Sequence, residues 1–249
     1  MSFMTDPTIA QVMRRQAAEE DIHVESYSAM VETVIKDPMA VYDLYYHVPQ
    51  LSAKNDYIVA QGNQIHIEDS DHNKIKALVS NIILEGVYFF NGFLVFYTIG
   101  RSTGKIQGMV DYIKYIQRDE VVHLEFFKLI YLSLRQERPE LFTPALALEC
   151  QDLFRKAAAL EGSWGHYIIE DGGVLGLNNQ ILTEYPQYLA ETNAASIGLG
   201  GIFPNVKNPV KFVDDYAKIK TEQGNFFEAK PLTYSHKKPT FTRSAASRV

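Results

Sequence analysis

The chain has 249 residues, enough for one large domain or two small ones, and its 46% hydrophobic and 22% charged residues are those of a globular protein with a sizeable core. A formal net charge of −6 argues against a nucleic-acid partner held by bulk electrostatics. The single cysteine, Cys150, excludes an intramolecular disulfide and fits a cytoplasmic, reducing location.

The start, MSFMTDPTIAQVMRRQ, lacks the apolar segment and small-residue cleavage site of a signal peptide. Thr5, Asp6 and Pro7 open a helix by an N-cap followed by proline, and it runs to about Ile35. Asp37 and Pro38 open a second, with Pro49 as a kink. Gly62 to Asp71 reads as a short polar connection. A third long helix begins at Asp69 and is closed by Gly100; a fourth covers about Ile106 to Arg135. Pro139 opens a segment reaching Gly172 and Gly173, and a further helix follows, interrupted by Pro186. Residues 1–202 thus read as an all-α bundle of long antiparallel helices, and residues 203–249 as a loop-rich C-terminal region with a flexible tail.

The most apolar stretch, NIILEGVYFFNGFLVFYTIG, is long enough for a membrane span. Glu85 and Asn91 interrupt it, and Tyr and Phe outnumber Leu and Val, so a buried core helix is expected and no membrane partner.

Two Glu-x-x-His pairs stand out, Glu20 with His23 and Glu120 with His123, each on its own long helix. A spacing of three puts carboxylate and imidazole on one helical face, a turn apart. Glu85 adds a lone carboxylate inside the most apolar helix, without an evident ion-pair partner. A single such pair is most often surface decoration, and the Glu19-Glu20-Asp21 run alone reads as a solvated face. Two pairs and a lone carboxylate in this order match the ferritin-like dimetal bundles. Oxygen-rich ligation with one imidazole per metal suits iron or manganese better than zinc.

The segments EEDIHVESYS, SNIILEGVYFFNGF, YIQRDEVVHL, GSWGHYIIEDGGVLGLN and GLGGIFPNVKNPVKFVDDY resemble the small (beta, radical-generating) subunit of class I ribonucleotide reductase over nearly the whole chain. The resemblance implies a ferritin-like fold and two iron, two manganese or mixed manganese/iron ions per subunit. It makes Glu20 and Glu120 the bridging ligands, His23 a ligand of one metal, and Glu85 and His123 ligands of the other. It makes Tyr27 the radical-bearing tyrosine, in a dry pocket of Phe89, Phe93, Ile113 and Ile116. Asp119 would hydrogen-bond the His23 ligand and join the radical-transfer path, and Tyr234 would pass the radical to a large (alpha) subunit. Trp164 is expected to be structural, and the ending RSAASRV lacks the acidic and aromatic ending common in the family.

The resemblance also implies a homodimer, and a first aspartate ligand and a relay tryptophan on an earlier helix that has no counterpart here. Asp6 precedes Glu20 by fourteen positions, 6 to 20, about 21 Å along a helix. It reads as an N-cap, leaving five of the family's six ligands. Three expectations follow: one part of a split subunit completed by a complementing N-terminal fragment, an incomplete reading frame, or a shortened homologue with altered metal chemistry. The rival functions are another ferritin-like dimetal oxidase or desaturase, iron storage, and a catalytically incomplete fragment that still binds the large subunit.

Overall fold

The computed structural model describes residues 6–170 and 172–217, and every regular element among them is helical. Helix α1 spans Pro7–Val34. Asp6 caps it by accepting the Thr8 backbone N–H at 2.7 Å, and Pro7 at the first position has no N–H to satisfy. Only His23 and Met30 of α1 are buried.

Two short helices, α2 (Pro38–Tyr42) and α3 (Leu44–His47), lead into α4 (Pro49–Ile67). Helix α4 runs through most of the segment expected to be a polar connection. One solvent-facing glycine, Gly62, costs a helix about 1 kcal/mol, too little to end it. Ser70 then caps α5 (Asp71–Val87) by accepting the Asn73 backbone N–H at 3.3 Å.

The third helix expected from sequence is two helices, α5 and α6 (Phe90–Thr103), separated by a break at Tyr88 and Phe89. Gly100 does not close α6. A Cβ there would lie 2.5 Å from Val110 Cγ2, so Gly100 permits close approach to the next helix. The terminator is Gly104, in the left-handed region with φ +67.

Helix α7 (Gln107–Glu137) is the longest. A 3₁₀ turn at Pro139–Leu141 precedes α8 (Pro144–Ile169), capped by Thr143, and α9 (Asn179–Ser196), capped by Asn178. Pro186 lies inside α9 without interrupting it. Proline cannot donate to the carbonyl four residues back, that of Leu182; Asn91 Nδ2 donates to it instead, at 3.0 Å. A last short helix, α10, covers Asp214–Ala217.

Helix α5 forms the centre, with Ile75, Leu78, Ile82 and Ile83 packed among Phe127 of α7 and Phe154 of α8. A second apolar cluster joins Phe93, Leu94 and Tyr97 of α6 to Ile113 and Ile116 of α7 and Leu182 of α9. Val210 and Val213 are buried in it, so the packed bundle continues past residue 202. Asp71–Thr103 is apolar enough to cross a membrane by composition, but its side chains are largely enclosed by the other helices. It is the core of the bundle.

Gly86 marks the tightest approach beside the site. A Cβ there would meet Asn193 Nδ2 at 2.5 Å, the same atom that donates to the Gly86 carbonyl at 2.9 Å. Gly86→Ala is expected to destabilise the chain by about 1–3 kcal/mol, as overpacking does. Thermal unfolding followed by circular dichroism should show the midpoint falling by roughly 2–4 °C per kcal/mol.

Candidate metal centre

Gln16, Glu20, His23 and Tyr27 recur along α1 at steps of four, three and four, so they form one stripe of the helix. Glu120 and His123 repeat the three-residue step on α7, and Glu85 enters from α5. Glu85, Glu120, His23 and His123 are buried; the Glu20 side chain is 43% exposed.

The two pairs meet face to face, their imidazole centroids 6.2 Å apart. Glu120 sets one oxygen 3.2 Å from His23 Nδ1 and the other 3.2 Å from His123 Nδ1. Glu20 does the same at 3.3 Å to each. Each of these carboxylates therefore spans both imidazoles. Glu85 is on the His123 side, its Oε2 3.9 Å from His123 Nδ1. Ligand atoms of Glu20, Glu85, Glu120 and His123 all lie within 4.8 Å of one another.

The outer nitrogens are held in a crossed pattern. His23 Nε2 of α1 faces Asp119 Oδ2 of α7 at 3.4 Å, and His123 Nε2 of α7 faces Glu19 Oε2 of α1 at 3.0 Å. The acid preceding each Glu-x-x-His pair thus steers the histidine of the other helix. Glu19 and Asp119 are tied in turn to Arg15 and Arg118. Gln16 Nε2 donates to Glu85 Oε1 at 2.8 Å.

Sequence reasoning missed Gln16 and Glu19. Gln16 could have been found four residues before Glu20 on the ligand stripe. Glu19 could have been found as the counterpart of Asp119, since both pairs read acid-Glu-x-x-His.

Protonation follows from this geometry. Burial lowers the His23 and His123 imidazoles, but hydrogen bonds to Glu120 and Glu20 outweigh it and raise them to about 10 and about 12. Burial raises Glu120, but the same two imidazoles pull it down to about 2. Glu85 is dominated by burial, which pushes it up to about 8. At pH 7 without a cation, both imidazoles and Glu85 therefore carry protons.

Tyr27 borders a cavity of about 150 Å³, lined also by Phe89, Phe93 and Ile113, and by Lys54, Tyr88 and Trp164. Phe93, Ile113 and Ile116 are buried and Phe89 is half-buried. Tyr27 itself is 36% exposed. Burial is nonetheless the leading cause that holds its hydroxyl well above the usual phenol range, followed by the charges of Glu120 and Glu20. Tyr234 lies outside the described residues.

The donor set suits a hard divalent cation pair: carboxylates span two imidazoles, and no thiolate takes part. Glu85 Oε2 is buried and has no hydrogen-bond partner among the described residues, as expected of a ligand atom whose partner is a metal.

A family model described as "Ribonucleotide reductase, small chain" matches residues 1–209. The chain belongs to the ribonucleotide reductase small-chain family. It is 31% identical over 239 residues to the ribonucleoside-diphosphate reductase subunit beta of Treponema pallidum, covering 94% of this chain and 67% of that relative. Among solved structures it is similar to the ribonucleotide reductase R2 subunit from Clostridium botulinum, with TM-score 0.79 and 33% identity over 85% of this chain and 67% of that one. A putative class I ribonucleotide reductase from Bacillus halodurans matches with TM-score 0.80 and 29% identity, over 86% and 77% of the two chains. This small chain thus spans about two thirds of its Treponema relative. The ferritin-like helical bundle expected from the resemblance is the fold observed.

Two outcomes follow. Glu19→Ala, which frees His123 Nε2, should weaken metal binding by about 10–100-fold, measured by competition with a chelating dye. Metal uptake at pH 7 should release the protons of His23, His123 and Glu85, about three per chain, read in a weakly buffered indicator solution. The same shifts set the stability of the metal-free chain. The raised imidazoles stabilise it fully below about 6.5, and this is lost as pH climbs through about 10 and about 12. The raised Glu85 stabilises it fully below about 4.5, and this is lost through about 8. The metal-free chain should therefore melt lower at pH 9 than at pH 6.5.

Proposed function

We propose that this chain is the radical-generating subunit of a ribonucleoside-diphosphate reductase, serving the reduction of ribonucleotides to deoxyribonucleotides for DNA synthesis. The observation that carries the site assignment is the pair of carboxylates, Glu20 and Glu120, each spanning both imidazoles, with Tyr27 one turn beyond His23. Glu20 and Glu120 would bridge two iron, two manganese or one of each. His23 would serve one ion, and Glu85 and His123 the other. When bound, the metal pair supplies one-electron oxidising power.

The chain's own residues determine what is done with that power. A phenol held above its usual range must lose its proton as it loses an electron, and the carboxylates acting on the Tyr27 hydroxyl are Glu120 and Glu20. Phe89, Phe93 and Ile113, which line the cavity that Tyr27 borders, would with Ile116 limit quenching by water. Asp119 orients His23 and, paired with Arg118, offers a polar link for onward radical transfer. Tyr234 would complete the transfer to a large subunit, which would bind the nucleotide. The assembly would be a cytoplasmic homodimer in contact with that subunit.

Another dimetal oxidase is disfavoured by the placement of Tyr27 beside the ligand stripe. Anaerobic loading with Fe(II) should give two ions per chain by elemental analysis, and exposure to oxygen should give a tyrosyl radical signal in electron paramagnetic resonance. Tyr27→Phe should keep the metals and lose the signal. An unchanged signal in that variant would sink the Tyr27 assignment.

A further inference from the structure

The break between α5 and α6 lies one turn past Glu85 and carries Phe89, with Phe93 a turn beyond. A helix interrupted inside a core frees backbone groups that water cannot reach, and each must find a partner. Lys54 of α4 and Glu161 of α8 supply partners within this break and just after it. Lys54 Nζ donates to the Tyr88 carbonyl and to Glu161 Oε2, each at 2.5 Å. Glu161 Oε1 accepts the Asn91 backbone N–H at 3.2 Å. One ion pair thus holds a carbonyl inside the break and a free N–H just after it.

Both charges are out of water: Glu161 is fully buried and Lys54 nearly so. The ammonium also lies over the rings of Tyr88 and Trp164, at 5.0 and 6.0 Å from their centroids. Asn91 reinforces the clamp by donating its side-chain amide to the Glu161 and Leu182 carbonyls, both at 3.0 Å. Gly165 leaves room for this amide, since a Cβ there would lie 2.5 Å from Asn91 Nδ2. Helices α4, α8 and α9 converge on the break. Lys54, Tyr88 and Trp164 line the same cavity as Tyr27, Phe89 and Phe93.

A buried ion pair is a poor source of net stability, because desolvation offsets the attraction and apolar replacements are often no worse. Its geometric effect is specific. We propose that Lys54 and Glu161 are positioning residues that fix the α5–α6 break, and so aim Glu85 into the metal centre and Phe89 and Phe93 onto Tyr27. The second half rests on the metal-centre reading above; the fixing of the break does not.

The variant Lys54→Met with Glu161→Leu removes both charges and keeps apolar volume, so it should fold. Two readouts separate positioning from filling. Mn(II) titrated anaerobically, with free Mn(II) followed by electron paramagnetic resonance, should bind about 10–100-fold more weakly than to the unsubstituted chain. Hydrogen exchange at the amides of residues 88–91 should be at least about tenfold faster, with the middle of α8 unchanged. If the double variant does not fold, Glu161→Gln, which keeps the shape without the counter-ion, should show both changes in the same direction. Unchanged affinity and unchanged exchange at the break in a folded variant would overturn the proposal. Failure of the unsubstituted chain to take up Mn(II) would instead defeat the metal-centre reading, and the exchange rates alone would then decide whether the pair fixes the break.

Discussion

The constraint on which the rest depends is charge balance in a buried seam. Glu85 and Glu120 are enclosed, and Glu20 closes over them from α1. Such a group of carboxylates is stable only with cations or protons among them. The imidazoles of His23 and His123 can supply either: protons on their nitrogens in the metal-free chain, or lone pairs to a bound ion. This explains the odd character of α1. Its fully buried side chains among the described residues are His23 and Met30, and Ile9 and Met13 pack part-buried against the core, so apolar burial is only part of its docking. Its polar stripe, Gln16, Glu19, Glu20 and His23, fastens it to α5 and α7.

The crossed acids give this seam its rigidity. A histidine with a free outer nitrogen can rotate about its bonds, and its ligand nitrogen then wanders. Asp119 and Glu19 each hold the histidine of the opposite helix. The two helices cannot slide along one another without breaking both contacts. On the third side, Glu85 is set by its place just before a helix break, and the break is held from α4 and α8. Each candidate ligand is therefore fixed by an element other than its own.

Much of this was legible in the sequence because it is local. Helical period, the Asp6 cap, and the repeated Glu-x-x-His spacing depend on residues within a turn or two. What was not legible depends on residues distant in the chain. The break at Tyr88 is stabilised by Lys54, 34 positions away, and Lys54 is paired with Glu161, a further 107 from itself. Gly100 reads as a terminator until Val110 is seen against it. Pro186 reads as an interruption until Asn91 is found on the carbonyl it abandons. Glu19 reads as solvated because its partner, His123, is on another helix. Tyr27 was expected in a dry pocket; it borders a cavity lined by Phe89, Phe93 and Ile113, yet keeps a third of its surface open.

That rigidity also weighs on the choice between a resident cofactor and a cargo metal. A storage site must release what it takes, which favours exposed carboxylates with freedom to swing. Here Glu85 and Glu120 are almost without solvent contact, and both outer imidazole nitrogens are pinned. Removing the ions would require protons on both imidazoles and on Glu85, or a buried negative charge left bare. Enclosed carboxylates and pinned imidazoles, rather than proton competition, are what suit this seam to a resident ion pair more than to a cargo metal. In the radical role proposed for Tyr27, the same rigidity would limit the openings through which water reaches a residue that already keeps a third of its surface exposed.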